Sequence, residues 1–139
     1  MVVGKEWWPV PESENKRQRV DSYRDLLVWQ KAMDLVEIVY RLAKKLPSTE
    51  LYGLASQMQR AAVSVVANIA EGHGRYHLGE KLHSFPIANG SLKEVETHLL
   101  VAVRLAFMDE EDVKSALSKS DEIGRMLLAL VRSLRGRKA

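Results

Sequence analysis

The chain has 139 residues, 46% apolar and 28% charged, which is typical of one globular domain. It has no cysteine, which excludes disulfides and thiolate metal sites, and neither a secretory signal nor an apolar run of roughly 20 residues, so we expect a cytoplasmic, non-membrane protein. The net charge of +3 is small, but basic residues concentrate towards both ends of the chain, where they favour contact with phosphate.

Residues 1–22 contain two of the four prolines and show no helical period. We therefore predict a flexible extension there, followed by a helical domain over residues 23–139. Trp7 and Trp8 stand beside Pro9 in the extension. They are either a recognition element or a patch that folds back onto the domain.

The first predicted helix follows Tyr23 and ends at Leu46, before Pro47. Ser22 and Asp25 have the spacing of a capping box. Apolar residues recur every three or four positions along one face, which we expect to be buried: Val28, Ala32, Leu35, Val39, Leu42 and Leu46.

The second predicted helix runs from about Thr49 to Glu71, capped by Ser48 or Thr49 and ended by Gly72. Its expected buried face consists of Leu51, Leu54, Met58, Ala62, Val65 and Ile69. Residues 61–70 are apolar or small almost all round, and a helix of that kind must be covered on more than one side. We therefore predict that a second chain covers this segment, in a homo-oligomer.

The third predicted helix contains Pro86, which would remove a backbone hydrogen bond from a helix interior. The helix is therefore either kinked at Pro86 or begins there, and Ser91 with Glu94 resembles a capping box that would place the start later still. Its expected buried face consists of Ala88, Leu92, Val95, Leu99, Ala102 and Ala106.

The fourth predicted helix is capped by Asp109, has three more acids in its first turn and ends at Gly136. Its expected buried face consists of Val113, Leu117, Ile123, Leu127, Leu130 and Leu134. No stretch alternates with the period of a strand. We therefore predict an all-α fold, an antiparallel up-down-up-down four-helix bundle.

The sequence offers little for catalysis, because it has no cysteine nucleophile and no glycine-rich phosphate loop after a strand. His73 and His77 lie four residues apart, but in a glycine-rich loop, so we predict no metal site, no cofactor and no enzyme activity.

A polar stripe crosses the otherwise apolar second helix: Arg60, Ser64, Asn68 and Glu71. It is either a solvated face or a set of buried, paired groups. In the second case Arg60 would meet Glu94 or Glu71 and fix the register of the helices.

Five ordered motifs carry a family resemblance: YRDLLVWQKA (23–32), ELYGL (50–54), QRAA (59–62), NIAEG (68–72) and ANGSLKEVET (88–97). With these motifs the chain closely resembles the four-helix-bundle proteins encoded within intervening sequences of bacterial 23S ribosomal RNA genes. The same group includes the accessory proteins of diversity-generating retroelements. The chain departs from the family pattern at residues 84–86, where the family has a continuous helix, and in its N-terminal extension.

The resemblance implies a barrel-like homopentamer without known catalytic activity. In the retroelement branch it implies a basic protein that binds nucleic acid and partners a reverse transcriptase. The resemblance also marks signature residues with an expected structural role: Arg60, Asn68, Glu71, Gly72, Gly90, Ser91, Glu94, Glu96 and Thr97.

The function predicted from these observations is a non-catalytic oligomeric scaffold that contacts RNA or DNA, and the resemblance implies a reverse transcriptase as a further partner. The candidate phosphate contacts are Lys44, Lys45, Arg75, Arg104, Arg132, Arg135, Arg137 and Lys138. The alternative is a protein-binding assembly subunit that docks through the acidic residues 109–112 or the tryptophan extension.

Overall fold

The computed structural model describes residues 22–75 and 77–136. These residues form four α-helices: α1 (Leu27–Ala43), α2 (Leu54–Gly74), α3 (Leu78–Arg104) and α4 (Glu110–Arg135). Short 3-10 turns at Tyr23–Asp25 and Ser48–Glu50 precede α1 and α2, and these two ranges contain no strand. The all-α prediction is confirmed. The predicted flexible extension lies outside the described residues up to position 21.

Each helix packs against the next one along the chain, and α4 packs back against α1. Diagonally opposite helices make no close backbone contact within the described ranges, an arrangement consistent with a four-helix bundle. All four helices contribute to one core, whose largest fully buried side chains include Leu35, Met58, Ile69, Leu92, Leu99, Ile123 and Leu127. In the part of the chain that the structure describes, no helix is long and apolar enough to cross a membrane.

Three ion pairs link α1 to α4: Lys31 with Glu122 at 2.9 Å, Asp34 with Lys119 at 3.9 Å, and Lys45 with Asp112 at 3.6 Å. Residue numbers rise along α1 as they fall along α4. The carboxyl end of α1 therefore lies beside the amino end of α4.

The face predicted for α1 is confirmed, because all six of its apolar residues are buried. The Ser22–Asp25 capping box is also present, although it caps the 3-10 turn that precedes the helix. The helix ends at Ala43 instead of Leu46. Residues 44–46 continue as tighter turns, in which each backbone N–H donates to the carbonyl three residues earlier. Pro47 accounts for this change, because a residue before proline avoids the α conformation.

The start predicted for α2 was five residues too early. Gly53 has φ −112° and ψ −109°, outside the helical region, and interrupts the chain between the Ser48–Glu50 turn and Leu54. The carboxylate of Glu50 then accepts a hydrogen bond from the backbone N–H of Leu54 at 3.1 Å. Leu51, which precedes the helix, is 57% exposed instead of buried. The predicted core positions from Met58 to Ile69 are fully buried.

The apolar segment 61–70 is covered largely by its own subunit. Because α2 lies between α1 and α3, five of these residues are buried: Ala61, Ala62, Val65, Val66 and Ile69. Val63, at 42% exposed, and Ala67 remain on the surface. The apolar surface left for a second chain on this segment is therefore smaller than the sequence predicted.

Helix α3 is continuous from Leu78 through Pro86, so of the two alternatives that the sequence left open the late start is wrong. Pro86 lies exposed on the helix, while its neighbour Phe85 and, one turn away, Ala88 are buried in the core. Packing of this face holds the helix together across the hydrogen bond that proline removes. Ser91 and Glu94 therefore lie in mid-helix and form no capping box. The departure expected at residues 84–86 leaves the helix intact.

The capping box predicted at the start of α4 is confirmed, with Asp109 and Asp112 each accepting the other's backbone N–H. Gly136 ends the helix as predicted. The buried face is rotated slightly from the predicted one. Leu117 and Leu130 are only partly buried, and their places in the core are taken by Ala116, Ser120 and Val131.

Candidate nucleic-acid interface

The candidate phosphate contacts do not form one surface. Lys44 and Lys45 follow α1 and Arg104 ends α3, so they lie at the end of the bundle where α4 begins. Arg132 and Arg135 lie in the last turn of α4, at the opposite end. Arg75 caps α2 at that same opposite end. Arg137 and Lys138 lie outside the described residues.

The end that carries Lys44, Lys45 and Arg104 is also acidic. Residues 109–112 form the first turn of α4 and its cap there, and Asp112 pairs with Lys45 at 3.6 Å. The backbone N–H of Asp109, and then Lys45, hold the pKa of Asp112 below its ordinary value. Asp112 is therefore a carboxylate at neutral pH, and the acidic turn opposes the attraction of these three cations for phosphate. We call this the acidic end.

The opposite end of the bundle is less acidic. Arg132 and Arg135 are exposed and form no ion pair with any of the residues described. Arg75 pairs with Glu71 at 3.0 Å, but both side chains are about half exposed, and such a pair is worth about 0–1 kcal/mol. We call this the basic end. Its cations are more available to a phosphate backbone than those of the acidic end.

Lys81 organises the basic end in a way that the sequence did not reveal. Its ammonium group donates to the backbone carbonyls of Gly72 at 3.2 Å and His73 at 3.0 Å, which satisfies the last turn of α2. Burial, followed by the charge of Lys81, lowers the pKa of His73. His73 is therefore neutral at physiological pH and adds no charge to the basic end.

Four signature residues have clear structural roles between α2 and α3. The Asn68 amide donates to the Ser64 carbonyl at 2.9 Å and to its hydroxyl at 3.2 Å, and that hydroxyl lies 2.8 Å from the buried hydroxyl of Ser91. Gly72 lies directly against the ring of Phe85, where an added Cβ would be 2.6 Å from the nearest ring carbon. Glu71 supports Arg75.

Among the other signature residues, Glu96 and Thr97 form side-chain hydrogen bonds, whereas Glu94 and Gly90 are exposed. The carboxylate of Glu96 accepts a hydrogen bond from Ser120 on α4, and Thr97 donates to the Lys93 carbonyl within its own helix at 2.8 Å. Glu94 is largely exposed and lies 4.0 Å from His98. Gly90 is exposed on α3, and nothing within 4 Å would meet an added Cβ.

Of the two alternatives for the polar stripe, the buried pair of Arg60 is wrong. Arg60, Glu71 and Glu94 are all exposed. Glu71 pairs with Arg75, and Glu94 lies 4.0 Å from the buried Nε2 atom of His98, which has no hydrogen-bond partner among the described residues. The helical rotation places Arg60 and Glu71 on the outer edges of α2, while Ser64 and Asn68 face α3. In this stripe Ser64, Asn68 and Glu71 are therefore partnered, whereas Arg60 forms no ion pair with any of the residues described.

His73 and His77 come from the end of α2 and the residue that precedes α3. Among the residues described, no group of three or more histidine, aspartate or glutamate side chains is placed to hold a metal ion.

Comparisons with known proteins place the chain in a family. A family described as 23S rRNA-intervening sequence protein matches residues 24–129. The fold is similar to that of a crystallised protein of unknown function from the S23 ribosomal protein family of Bacteroides thetaiotaomicron, with a TM-score of 0.70 and 23% sequence identity. That similarity covers 76% of this chain and 98% of the other. No curated protein matches. From the match over most of its length, the chain belongs to the 23S rRNA-intervening sequence protein family.

Proposed function

We propose that this protein is a cytoplasmic, non-catalytic oligomeric scaffold that binds RNA or DNA through its basic end. The observation that carries the proposal is the placement of Arg132 and Arg135 in the exposed last turn of α4, without ion pairs among the described residues. Arg75 lies at the same end, and the acidic first turn of α4 lies at the other. This separation of charge gives the bundle one end suited to phosphate.

The proposed architecture is an antiparallel up-down-up-down bundle that assembles as a pentameric ring. The opposite order of the ion-paired residues on α1 and α4 supports the antiparallel arrangement. Exposed apolar residues on α2, α3 and α4 support self-association; they include Val63, Leu100, Val101 and Leu128. The pentamer itself, and a reverse transcriptase as a partner, are what the family resemblance implies.

The charge hypothesis is tested by comparing the two ends. Arg132→Gln combined with Arg135→Gln should weaken binding and reduce the slope of log affinity against log salt by about 1–2. Lys44→Gln combined with Arg104→Gln removes the same charge from the acidic end and should leave the slope unchanged. The measurement is a salt titration with single- and double-stranded RNA and DNA, on variants of matched helicity and native mass.

Two outcomes contradict this proposal. Undetectable or salt-independent binding to all four nucleic acids would remove the nucleic-acid role. A chain that stays a stable monomer on dilution, by native mass, would remove the ring.

A second candidate function, a protein-binding assembly subunit, is favoured by the acidic end. Tyr52 is 91% exposed and Leu105 54% exposed, and both lie in turns at the end of the bundle that carries the acidic residues 109–112. Exposed apolar groups beside acids suit a protein surface better than a phosphate backbone. Purification with a stoichiometric protein and without nucleic-acid absorbance would favour this function over the first.

A further inference from the structure

The outer side of α2 and α3 carries two opposite charges that the subunit itself leaves without a cross-helix partner. Arg60 on α2 is exposed and forms no ion pair with any of the residues described. Glu94 on α3 is also exposed, and it lies 4.0 Å from His98 of its own helix. By contrast, three ion pairs join α1 to α4. The charges on the α2 and α3 side are therefore available to a partner outside the subunit.

Each of these charges stands in a stripe of exposed residues at helical spacing. The stripe on α2 consists of Arg60, Val63 and Ala67. The stripe on α3 consists of Ile87, Glu94 and Val101. Residues at these spacings share one face of a helix. Each helix therefore presents one charge among apolar side chains, positive on α2 and negative on α3.

Contacts between α2 and α3 fix the register of the two stripes. The hydroxyl of Ser64 lies 2.8 Å from that of Ser91, and farther along α2 Gly72 lies against the ring of Phe85. Residue numbers thus rise along α2 as they fall along α3. A position before Ser64 on α2 therefore lies level with a position after Ser91 on α3.

The two charges lie at the same level of the bundle. Arg60 precedes Ser64 by four residues, and Glu94 follows Ser91 by three, so both lie about one helical turn away in the same direction. A rotation about an axis parallel to the helices, as in the proposed ring, keeps every residue at its level. Arg60 of one copy then comes level with Glu94 of the next copy.

We propose that α2 of one protomer packs against α3 of a second copy of the chain, with Arg60 of one paired with Glu94 of the other. The proposal rests on the oligomeric scaffold proposed above, and it names the surface through which the scaffold forms. Val63 and Val101 supply apolar surface to bury, being 42% and 38% exposed in the single chain. The opposite charges fix the orientation of the two copies and disfavour wrong pairings.

Charge reversal tests the proposal. Arg60→Glu and Glu94→Arg each place like charges across the contact, and each should raise the concentration at which the assembly dissociates about tenfold. An equal mixture of the two variants should restore assembly, because each variant offers the charge that the other has lost. Arg41→Glu makes the same change at an exposed position on α1 and should leave dissociation as in the parent. Native mass on dilution, with one variant isotopically labelled, measures all four samples at matched helicity.

The mixture separates a pair between copies from a pair within one chain, because each variant chain still carries two like charges of its own. Restored assembly that contains both variants supports the proposal. R60E and E94R that assemble like the parent overturn it and leave this face to a different protein, and a mixture no more stable than the single variants overturns the pairing between copies. A parent that is monomeric at every concentration overturns the proposed ring as well, whereas an assembled parent with unaffected variants overturns this interface alone.

Disulfide trapping is a second measurement, because the chain has no cysteine of its own. Ala67 follows Ser64 by three residues and Ile87 precedes Ser91 by four, so these two positions also share a level. Chains with Ala67→Cys mixed with chains with Ile87→Cys should form bridges between the two kinds of chain. Ser118→Cys, exposed on α4, replaces Ile87→Cys in the matched control. The interface pair should bridge about tenfold faster through its higher effective concentration, and equal rates would overturn the proposal.

Discussion

Helix α3 meets its two flanking neighbours in different ways. Against α2 it packs closely. The ring of Phe85 fills the space above Gly72, and the uncharged hydroxyl groups of Ser64 and Ser91 are hydrogen-bonded to each other. Against α4 it leaves a groove, and the helices are joined by a hydrogen bond from Ser120 to the charged Glu96. The contact with α2 depends on the missing side chain of Gly72, and the contact with α4 depends on the charged group of Glu96. The closely packed side fixes α3 in place, and the other side leaves a surface available for binding.

The largest effect is expected on the α4 side. Ser120→Ala should lower the free energy of unfolding by about 1.5–3 kcal/mol, the usual worth of a hydrogen bond to a charged group. Ser120 is fully buried, whereas Ser118 lies exposed on the same helix. Ser118→Ala is therefore the matched control and should be neutral or slightly stabilising. Denaturant melts at one chain concentration measure both, and equal midpoints for the two variants would contradict a role for the Glu96 bond.

The next effect is expected on the α2 side. Gly72→Ala places a Cβ against the Phe85 ring, and overpacking costs about 1–3 kcal/mol, against the ~1 kcal/mol that alanine contributes to a helix. A net loss of up to about 2 kcal/mol is expected. Gly90→Ala, in open space, should instead gain up to ~1 kcal/mol. Thermal or denaturant unfolding that ranks the two variants in the opposite order would show that α2 and α3 are not closely packed here.

A smaller loss is expected from the neutral hydroxyl pair. Ser91→Ala should cost about 0.5–1.5 kcal/mol, because Ser64 loses its partner across the helices but still accepts from Asn68. Comparison with Ser120→Ala under the same conditions sharpens the contrast between the two sides of α3. A larger loss for Ser91→Ala than for Ser120→Ala would reverse it.

The smallest effect is a pH dependence at the end of α2. Because the pKa of His73 is lowered in the folded state, the unfolded chain binds more protons in the window below the ordinary histidine value. The contribution of His73 is therefore fully present above about pH 6.5 and is lost as the pH falls through the folded pKa. His73→Gln should flatten the rise of stability with pH, measured by denaturant melts across this window. His77→Gln, at an exposed position, should keep it.

The sequence predicted those parts of the fold whose signals are local. The six buried apolar residues predicted between Val28 and Leu46 repeat at helical spacing, so their shared face could be predicted directly from the sequence. The capping boxes at Ser22 and Asp109 could be predicted just as directly, since each involves residues only three apart in the sequence. Interruptions of helices were harder to predict. Gly53 delayed the start of α2, and Pro86 did not delay that of α3, because packing decides which local preference is overridden.

The sequence predicted which residues could contact phosphate, but not where in the bundle they lie. Charge in the sequence identified Arg132 and Lys44 as equal candidates, yet they lie at opposite ends of the bundle. The position of Lys81 beside the last turn of α2 was also not readable, because its partners are backbone carbonyls eight and nine residues earlier. The buried pair considered for Arg60 was wrong for a related reason, since helical spacing identifies neighbours on one helix but not the partner on the helix packed against it.

The sequence by itself determined that the described part of this chain is helical, where α4 begins and ends, and which residues carry apolar or charged groups. These properties depend on backbone preferences and periodicity within a few residues. Only the tertiary structure decided which basic residues stand clear of acids, which polar groups join α3 to its neighbours, and where a groove remains open. Those features depend on the distance between side chains far apart in the sequence, and that distance is set by how four helical surfaces pack against one another.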